Sequence, residues 1–160
     1  MNSAILAAIA ALVGIAVGRL WDARSESTRW RRDQKTASYQ RYAEEFQSIY
    51  EVIRALAIAD PDTDTFAGMV ADARTNGFKA WDSAFIAVWL HGSAPVVSAA
   101  TALDRRVTEL FYEAQHRRFP VEDWEQIRIP ARRAFESFIA AVRHELALSP
   151  PQIQFFPDTQ

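Results

Sequence analysis

The stretch YQRYAEEFQSIYEVIRAL, residues 39–56, decides the fold class of this chain. Its large apolar residues recur every three or four positions, which is the spacing that places side chains on one face of an α-helix. These residues are Tyr39, Tyr42, Phe46, Ile49, Tyr50, Ile53 and Leu56. We predict an amphipathic helix with a buried face. It should end at residues 60–62, Asp-Pro-Asp, because the residue before a proline disfavours helical dihedrals.

Downstream segments repeat this spacing, and none shows the strict alternation typical of a strand. The expected inward positions are Phe66, Met69, Val70 and Ala73; then Phe78, Trp81, Phe85, Val88 and Trp89; then Val96, Ala100, Leu103, Val107, Leu110, Phe111 and Ala114; and finally Ala131, Phe135, Phe138, Ala141 or Val142, and Leu146. Short connections join these segments. We therefore predict an all-α protein in which residues 39–148 form an up-and-down four-helix bundle.

Capping residues set the expected helix boundaries. Asp64 is the candidate N-cap of a helix over residues 65–74, and the Thr-Asn-Gly sequence at 75–77 either ends that helix or is passed over. Gly92 suits the left-handed conformation after a helix, and Ser93 suits the N-cap of the next one.

The last part of the chain contains two further breaks. Pro130 should kink or split the helical unit over residues 121–148, because it removes a backbone donor and crowds the preceding turn. Residues 149–160 form a tail that is unusually apolar for a chain end. Fold-back of this tail onto the bundle is favoured over a role as a docking segment.

The N-terminal run SAILAAIAALVGIAVG, residues 3–18, contains no charged residue. Because a bilayer core needs about 17 to 25 helical residues, we predict a short transmembrane anchor over residues 1–21. Its membrane-anchoring side chains are Ile5, Leu6, Ile9, Leu12, Val13, Ile15, Val17 and Trp21. A cleaved signal peptide is disfavoured because no basic residue precedes the run. An alanine-rich helix buried in a soluble core is the other alternative.

Basic residues follow the run and none precedes it. They are Arg19, Arg24, Arg29, Arg31, Arg32 and Lys35. The positive-inside rule then places the N-terminus outside and the C-terminal domain in the cytoplasm, as a single-pass protein of the cell membrane. Residues 22–38 should form a juxtamembrane helical stalk. Its basic side chains either contact anionic headgroups or belong to a solvated helix with opposite charges.

Small residues share one face of the predicted anchor. Ala10, Gly14 and Gly18 fall four residues apart, the small-xxx-small pattern that lets two membrane helices approach closely. The pattern predicts a homo-oligomer formed through the membrane helix. Chance spacing in an alanine- and glycine-rich span is an equal alternative.

Composition excludes several functional classes. The chain has 18 Lys and Arg against 20 Asp and Glu, so it lacks the basic field of a nucleic-acid-binding protein. It has no cysteine, and therefore no disulfide, thiolate metal site or cysteine nucleophile. Five scattered glycines form no phosphate-binding loop or dinucleotide fingerprint.

Two patterns invite a chemical interpretation. Glu113 and His116 form a Glu-x-x-His, half of the ligand set of a di-iron bundle, but the second half is missing. The pairs at residues 105–106, 117–118 and 132–133 are Arg-Arg and suit a phosphate, a lipid headgroup or an acidic partner, although a solvated surface is favoured. We predict no catalytic residue, no cofactor and no metal.

Three stretches carry a resemblance to a known group of proteins. They are RWRRDQK at residues 29–35 followed by Tyr39 and Tyr42, LHGSAPVVSAA at residues 90–100, and FESFIAAVRHEL at residues 135–146. Together they resemble small single-pass membrane proteins of actinobacteria and their phages, which have no assigned activity. The resemblance implies an N-terminal span with a cytoplasmic helical bundle, and it transfers no functional residue.

These observations favour a non-enzymatic, membrane-anchored cytoplasmic bundle that acts as a protein-interaction or scaffold module. Its expected partners are the membrane and a second protein. One alternative is a phage or prophage host-interference factor resembling those of superinfection exclusion. The other is a ligand-binding or enzymatic bundle with a pocket among Tyr50, Trp81 and Trp89.

Overall fold

The computed structural model describes Trp30, residues 32–149 and Phe156. The regular secondary structure within these residues is entirely helical, so the predicted all-α class is confirmed for this part of the chain. The chain divides into two compact units, Met1–Thr36 and Ala37–Gln160, and residues 32–36 of the first unit are helical. The predicted anchor, residues 1–21, lies outside the described residues. Among the helices that are described, none combines the length and hydropathy of a membrane span.

The second unit contains six α-helices. They are α1 (residues 37–58), α2 (Asp64–Asp72), α3 (Phe78–His91), α4 (Ala94–His116), α5 (Val121–Ile127) and α6 (Ile129–Glu145). A π-helical turn, Ala73–Gly77, carries the chain from α2 into α3, so residues 75–77 are passed over. Pro130 lies in the first turn of α6, where its missing N–H is not needed, and the predicted last helix is split at Arg128.

Helix α6 runs antiparallel to α1. The Tyr39 hydroxyl donates to Glu145, near the end of α6, at 2.7 Å. Phe46 stacks on Phe135 with ring centroids 4.3 Å apart. Tyr50 then contacts Trp124, in α5, at 5.8 Å. As residue numbers increase along α1, the residues that they contact decrease in number along α6 and α5, which is the pattern of antiparallel helices.

Helix α3 is also antiparallel to α1. Ser38 Oγ lies 2.7 Å from His91 Nδ1, and the Tyr42 ring stacks on that of Trp81 at 4.3 Å. The side chain of Ile49 packs 3.1 Å from the position that a Cβ atom would take at Gly77. Successive turns of α1 therefore contact α3 in reverse order, from its last residue back to the π-helical turn.

The turn between α3 and α4 differs from the prediction. Gly92 has φ −78° and ψ 155°, an extended conformation, so the predicted left-handed geometry is wrong. Its N–H still donates to the Val88 carbonyl, at 2.7 Å, which ends α3 without a positive φ. Ser93 is the N-cap residue of α4 as predicted, but its hydroxyl donates to Glu145 and not to its own helix.

The buried positions follow the predicted spacing most closely in α1 and α4. All seven apolar positions named for each of these helices are buried. Outside these two helices, two predictions are wrong: the burial of Trp89 and the N-cap residue of α2. Trp89 is 56% exposed, because it lies on the outer face of α3 beside Phe85. The N-cap of α2 is Thr63, with extended dihedrals, and Asp64 is already the first helical residue.

Candidate functional site

A surface groove of about 520 Å³ lies between the second half of α4 and the α5–α6 junction. It is lined by Arg106, Glu109, Leu110, Tyr112, Glu113, Arg117, Ile127, Pro130 and Ala131. Leu110 and Ala131 belong to the buried core and form part of its apolar floor. The chain changes helix at Arg128, and Ile127 and Pro130, on either side of this junction, both line the groove.

Charged side chains border the groove as pairs within α4. Arg106 contacts Glu109 at 2.7 Å, and Arg117 contacts Glu113 at 3.8 Å. Both pairs are about half exposed, so each contributes only about 0.3–0.5 kcal/mol and is easily exchanged for a partner's charges. Tyr112, between them, is 57% exposed.

A second group of side chains lies at the α5–α6 junction, and we call it the arginine cluster: Tyr50, Trp124, Glu125, Arg128 and Arg132. Arg128 Nη1 donates to the Tyr50 hydroxyl at 3.2 Å, and its Nη2 forms an ion pair with Glu125. The Trp124 ring contacts the Tyr50 ring. Helix spacing brings these residues together, since Trp124, Arg128 and Arg132 are each four residues apart across the junction.

Three N–H donors of the arginine cluster are buried without an acceptor. They are Trp124 Nε1, Arg128 Nε and Arg132 Nε. Trp124 is only 2% exposed, so bulk water does not reach its indole. Leaving a buried donor unsatisfied costs about 1–3 kcal/mol, and three of them approach the whole stability of a small domain. We therefore expect these three donors to form hydrogen bonds with acceptors that do not belong to the described residues.

The Arg132 guanidinium is electrostatically strained. Burial lowers its pKa below the usual range, and the like charge of Arg128 lowers it further. Tyr50 and Glu136 act in the opposite direction. The guanidinium also lies 4.0 Å from the centre of the Phe156 ring, whose backbone N–H donates to Glu136 at 3.0 Å. Phe156 therefore lies against α6 beside the arginine cluster, which agrees with the predicted fold-back of the tail at this one residue.

A third polar group ties the opposite end of the second unit together. Glu145 Oε2 accepts hydrogen bonds from the Tyr39 hydroxyl, the Ser93 hydroxyl and the Ser93 N–H, at 2.7, 2.8 and 3.3 Å. Burial and the adjacent carboxylate raise the pKa of Tyr39 far above its ordinary value. This arrangement joins α1, the α3–α4 turn and α6, so we interpret it as structural.

The two residues of the Glu-x-x-His pattern are each engaged with another group. Glu113 pairs with Arg117, and His116 Nδ1 lies against the Tyr112 carbonyl, so the Glu-x-x-His atoms are engaged within α4. Within the described part of the chain, no group of His, Asp or Glu residues has a metal-binding arrangement.

The three aromatic residues named for the alternative pocket, Tyr50, Trp81 and Trp89, have different surroundings. Trp81 is fully buried, whereas Trp89 is 56% exposed. The indole of Trp81 donates to Asp104 at 2.8 Å, and Tyr50 belongs to the arginine cluster.

Most of the predicted membrane residues lie outside the described part of the chain. This applies to all the anchor side chains, to Ala10, Gly14 and Gly18, and to Arg19, Arg24, Arg29 and Arg31. Of the six basic residues, Arg32 and Lys35 are described; Arg32 is exposed and Lys35 is half-buried on a helix.

The site residues that were not singled out from the sequence include Tyr112, Trp124 and Arg128. A usable signal exists for two of them, because Trp124, Arg128 and Arg132 recur at four-residue spacing. The proline at 130 obscures this pattern by suggesting that the helical face is interrupted. Arg132 was noted as part of an exposed pair, but the structure buries it in part.

The part of the chain that the structure describes is thus all-helical, and its candidate binding sites are the groove beside Tyr112 and the partly buried arginine cluster. Comparison of the chain with protein-family models, with curated proteins and with solved structures gave no match.

Proposed function

We propose that this chain is a non-enzymatic protein-interaction module, held at the cytoplasmic face of the cell membrane by an N-terminal transmembrane helix. In this proposal α1, α3, α4 and the α5–α6 unit form an up-and-down four-helix bundle, which residues 22–38 connect to the anchor. The antiparallel contacts of α1 with α3 and with α6 support the bundle. The charge-free run at residues 3–18 and the basic residues after it support the anchor and its orientation.

The groove beside Tyr112 is the observation on which the binding function rests. Its floor is apolar, its rim carries exchangeable ion pairs, and an exposed tyrosine stands at its edge. Tyrosine and arginine are, with tryptophan, the side chains enriched at the energetic centre of protein interfaces. The occupant that fits is a protein segment that places an apolar side chain on the floor and charged groups at the rim.

The binding function is tested by co-purification from native membranes. Wild-type chain and the variants Tyr112→Ala and Trp89→Ala would be purified in parallel and the recovered proteins compared by quantitative mass spectrometry. We expect one protein to be recovered equally with wild type and Trp89→Ala, and at least about tenfold less with Tyr112→Ala. Trp89 is the matched control, since it is equally exposed and lies outside the groove. Equal recovery with all three chains would refute the groove as the binding site.

The membrane part of the proposal is tested separately. Alkaline carbonate should leave the chain in the membrane fraction, and protease added to intact cells should spare residues 37–160. Self-association through Ala10, Gly14 and Gly18 predicts a crosslinked dimer in membranes that Gly14→Ile abolishes. Release by carbonate would contradict the anchor. A wild-type chain that never crosslinks would contradict self-association only.

A further inference from the structure

We propose that the arginine cluster at the α5–α6 junction binds an oxyanion, a carboxylate or a phosphate, through Arg128, Arg132 and the indole N–H of Trp124. Within the part of the chain that the structure describes, the buried side-chain nitrogen and oxygen atoms lacking a hydrogen-bond partner all fall between residues 124 and 132. One of these atoms, Glu125 Oε2, forms the ion pair with Arg128. The other three are N–H donors, so the site requires acceptors.

The charges at the site favour an anion over water as the acceptor. Arg128 and Arg132 are one helical turn apart, and their like charges repel in a partly buried place. Glu125 is already paired with Arg128, and Glu136 already accepts the Phe156 N–H. A water oxygen would accept a hydrogen bond but would leave the repulsion between the two guanidinium groups. An oxyanion would accept the hydrogen bonds and also offset the repulsion between the two guanidinium groups. Guanidinium groups match the geometry of carboxylate and phosphate oxygens.

The arginine cluster and the polar group around Glu145 contact different parts of α1. The cluster contacts α1 at Tyr50, eleven residues and about 16 Å along the helix from the contact between Tyr39 and Glu145. This inference concerns a site separate from the groove and does not depend on the proposed partner.

Nuclear magnetic resonance of the side-chain N–H groups tests the proposal directly. The ¹⁵N-labelled full chain in detergent micelles would be titrated with inorganic phosphate and, separately, with acetate, at constant pH and at an ionic strength fixed with chloride. We expect saturable shifts of the Nε–H signals of Arg128 and Arg132 and of the Trp124 indole signal with at least one of the two anions. The indole signal of Trp81, which donates to Asp104, should not move.

A matched pair of variants identifies the residues responsible. Arg132→Gln should weaken the anion's affinity at least tenfold, whereas Arg133→Gln, at the exposed neighbouring position, should leave it unchanged. If Arg132→Gln fails to fold, the shifts in the wild-type chain still decide the question. Equal weakening by both variants would show general charge attraction and overturn the proposal.

Two further results would also overturn it. The first is the absence of any saturable shift with either anion, which would leave water as the acceptor. The second is a Trp124 indole signal that does not respond to added anion but moves when Asp158, a carboxylate of the tail at residues 149–160, is replaced by asparagine. The acceptor would then come from the chain's own tail.

Discussion

Replacement of Glu145 by leucine should destabilise the fold by removing the acceptor that joins α1, the α3–α4 turn and α6. Tyr39 is 3% exposed, so its hydroxyl would lose its partner where water does not replace it. An unsatisfied buried hydroxyl costs about 1–3 kcal/mol. Ser93 is half-buried, so partial hydration should limit its additional cost to about 1 kcal/mol. The expected decrease in the free energy of unfolding is therefore about 2–4 kcal/mol.

Urea unfolding of the full chain in detergent, followed by tryptophan fluorescence, measures this decrease. A double-mutant cycle with Tyr39→Phe then isolates the contact. In the wild-type background Tyr39→Phe should be destabilising, because it removes a charge-assisted hydrogen bond. In the Glu145→Leu background it should be neutral or stabilising, because it removes an unsatisfied hydroxyl. The exposed Glu44→Leu is the control and should change stability by less than about 0.5 kcal/mol. Additive effects of the two substitutions would refute the reasoning.

Three other predictions concern single positions. The pKa of Asp82 is raised by burial and by the nearby Asp104, so protonation favours the folded state and stability should fall as pH rises from the ordinary to the raised pKa. Asp82→Asn should therefore raise the urea midpoint at pH 7 and leave it unchanged at pH 3; a larger gain at pH 3 would contradict this. Gly68→Ala should stabilise the exposed helix α2 by about 0.5–1 kcal/mol in urea unfolding, since no atom lies within 4 Å of the added Cβ. Gly92→Ala should lower the thermal midpoint, because its Cβ would stand 2.8 Å from the Val88 carbonyl oxygen; an unchanged midpoint would refute the steric argument.

Periodicity predicted the core well where one helix face is buried over several turns. In α1 and α4 each apolar position at three- or four-residue spacing is inside, because both helices pack against neighbours along most of their length. In α3 the same spacing included Trp89, which is exposed. The apolar residues of α3 extend around the helix, with Ile86, Trp89 and Leu90 all on its outer face, so the spacing alone did not define a single inward direction.

Local turn chemistry was less predictive, because tertiary contacts compete for the capping groups. Ser93 was correctly placed at the N-cap of α4, yet its hydroxyl bonds to Glu145, which is 52 residues away in sequence. Gly92 was expected to take a left-handed conformation, but the chain turns directly into α4 with an extended residue. The Ser93 bond does not follow from nearby sequence, because it depends on where α6 ends relative to the α3–α4 turn.

The arginine cluster shows why charged sites are harder to derive than cores. An arginine on an amphipathic helix is ordinarily solvated, and the pair at residues 132–133 was interpreted in that way. In the structure the two arginines have different environments. Arg133 is exposed, whereas Arg132 faces the same side as Arg128 and Phe156. The Arg128 N–H donates to the Trp124 carbonyl and the Arg132 N–H donates to the Arg128 carbonyl, so helical spacing continues across the junction and keeps these three residues aligned. That alignment places two like charges and three unsatisfied donors together, and the proposed oxyanion would accept hydrogen bonds from the donors and offset the charges.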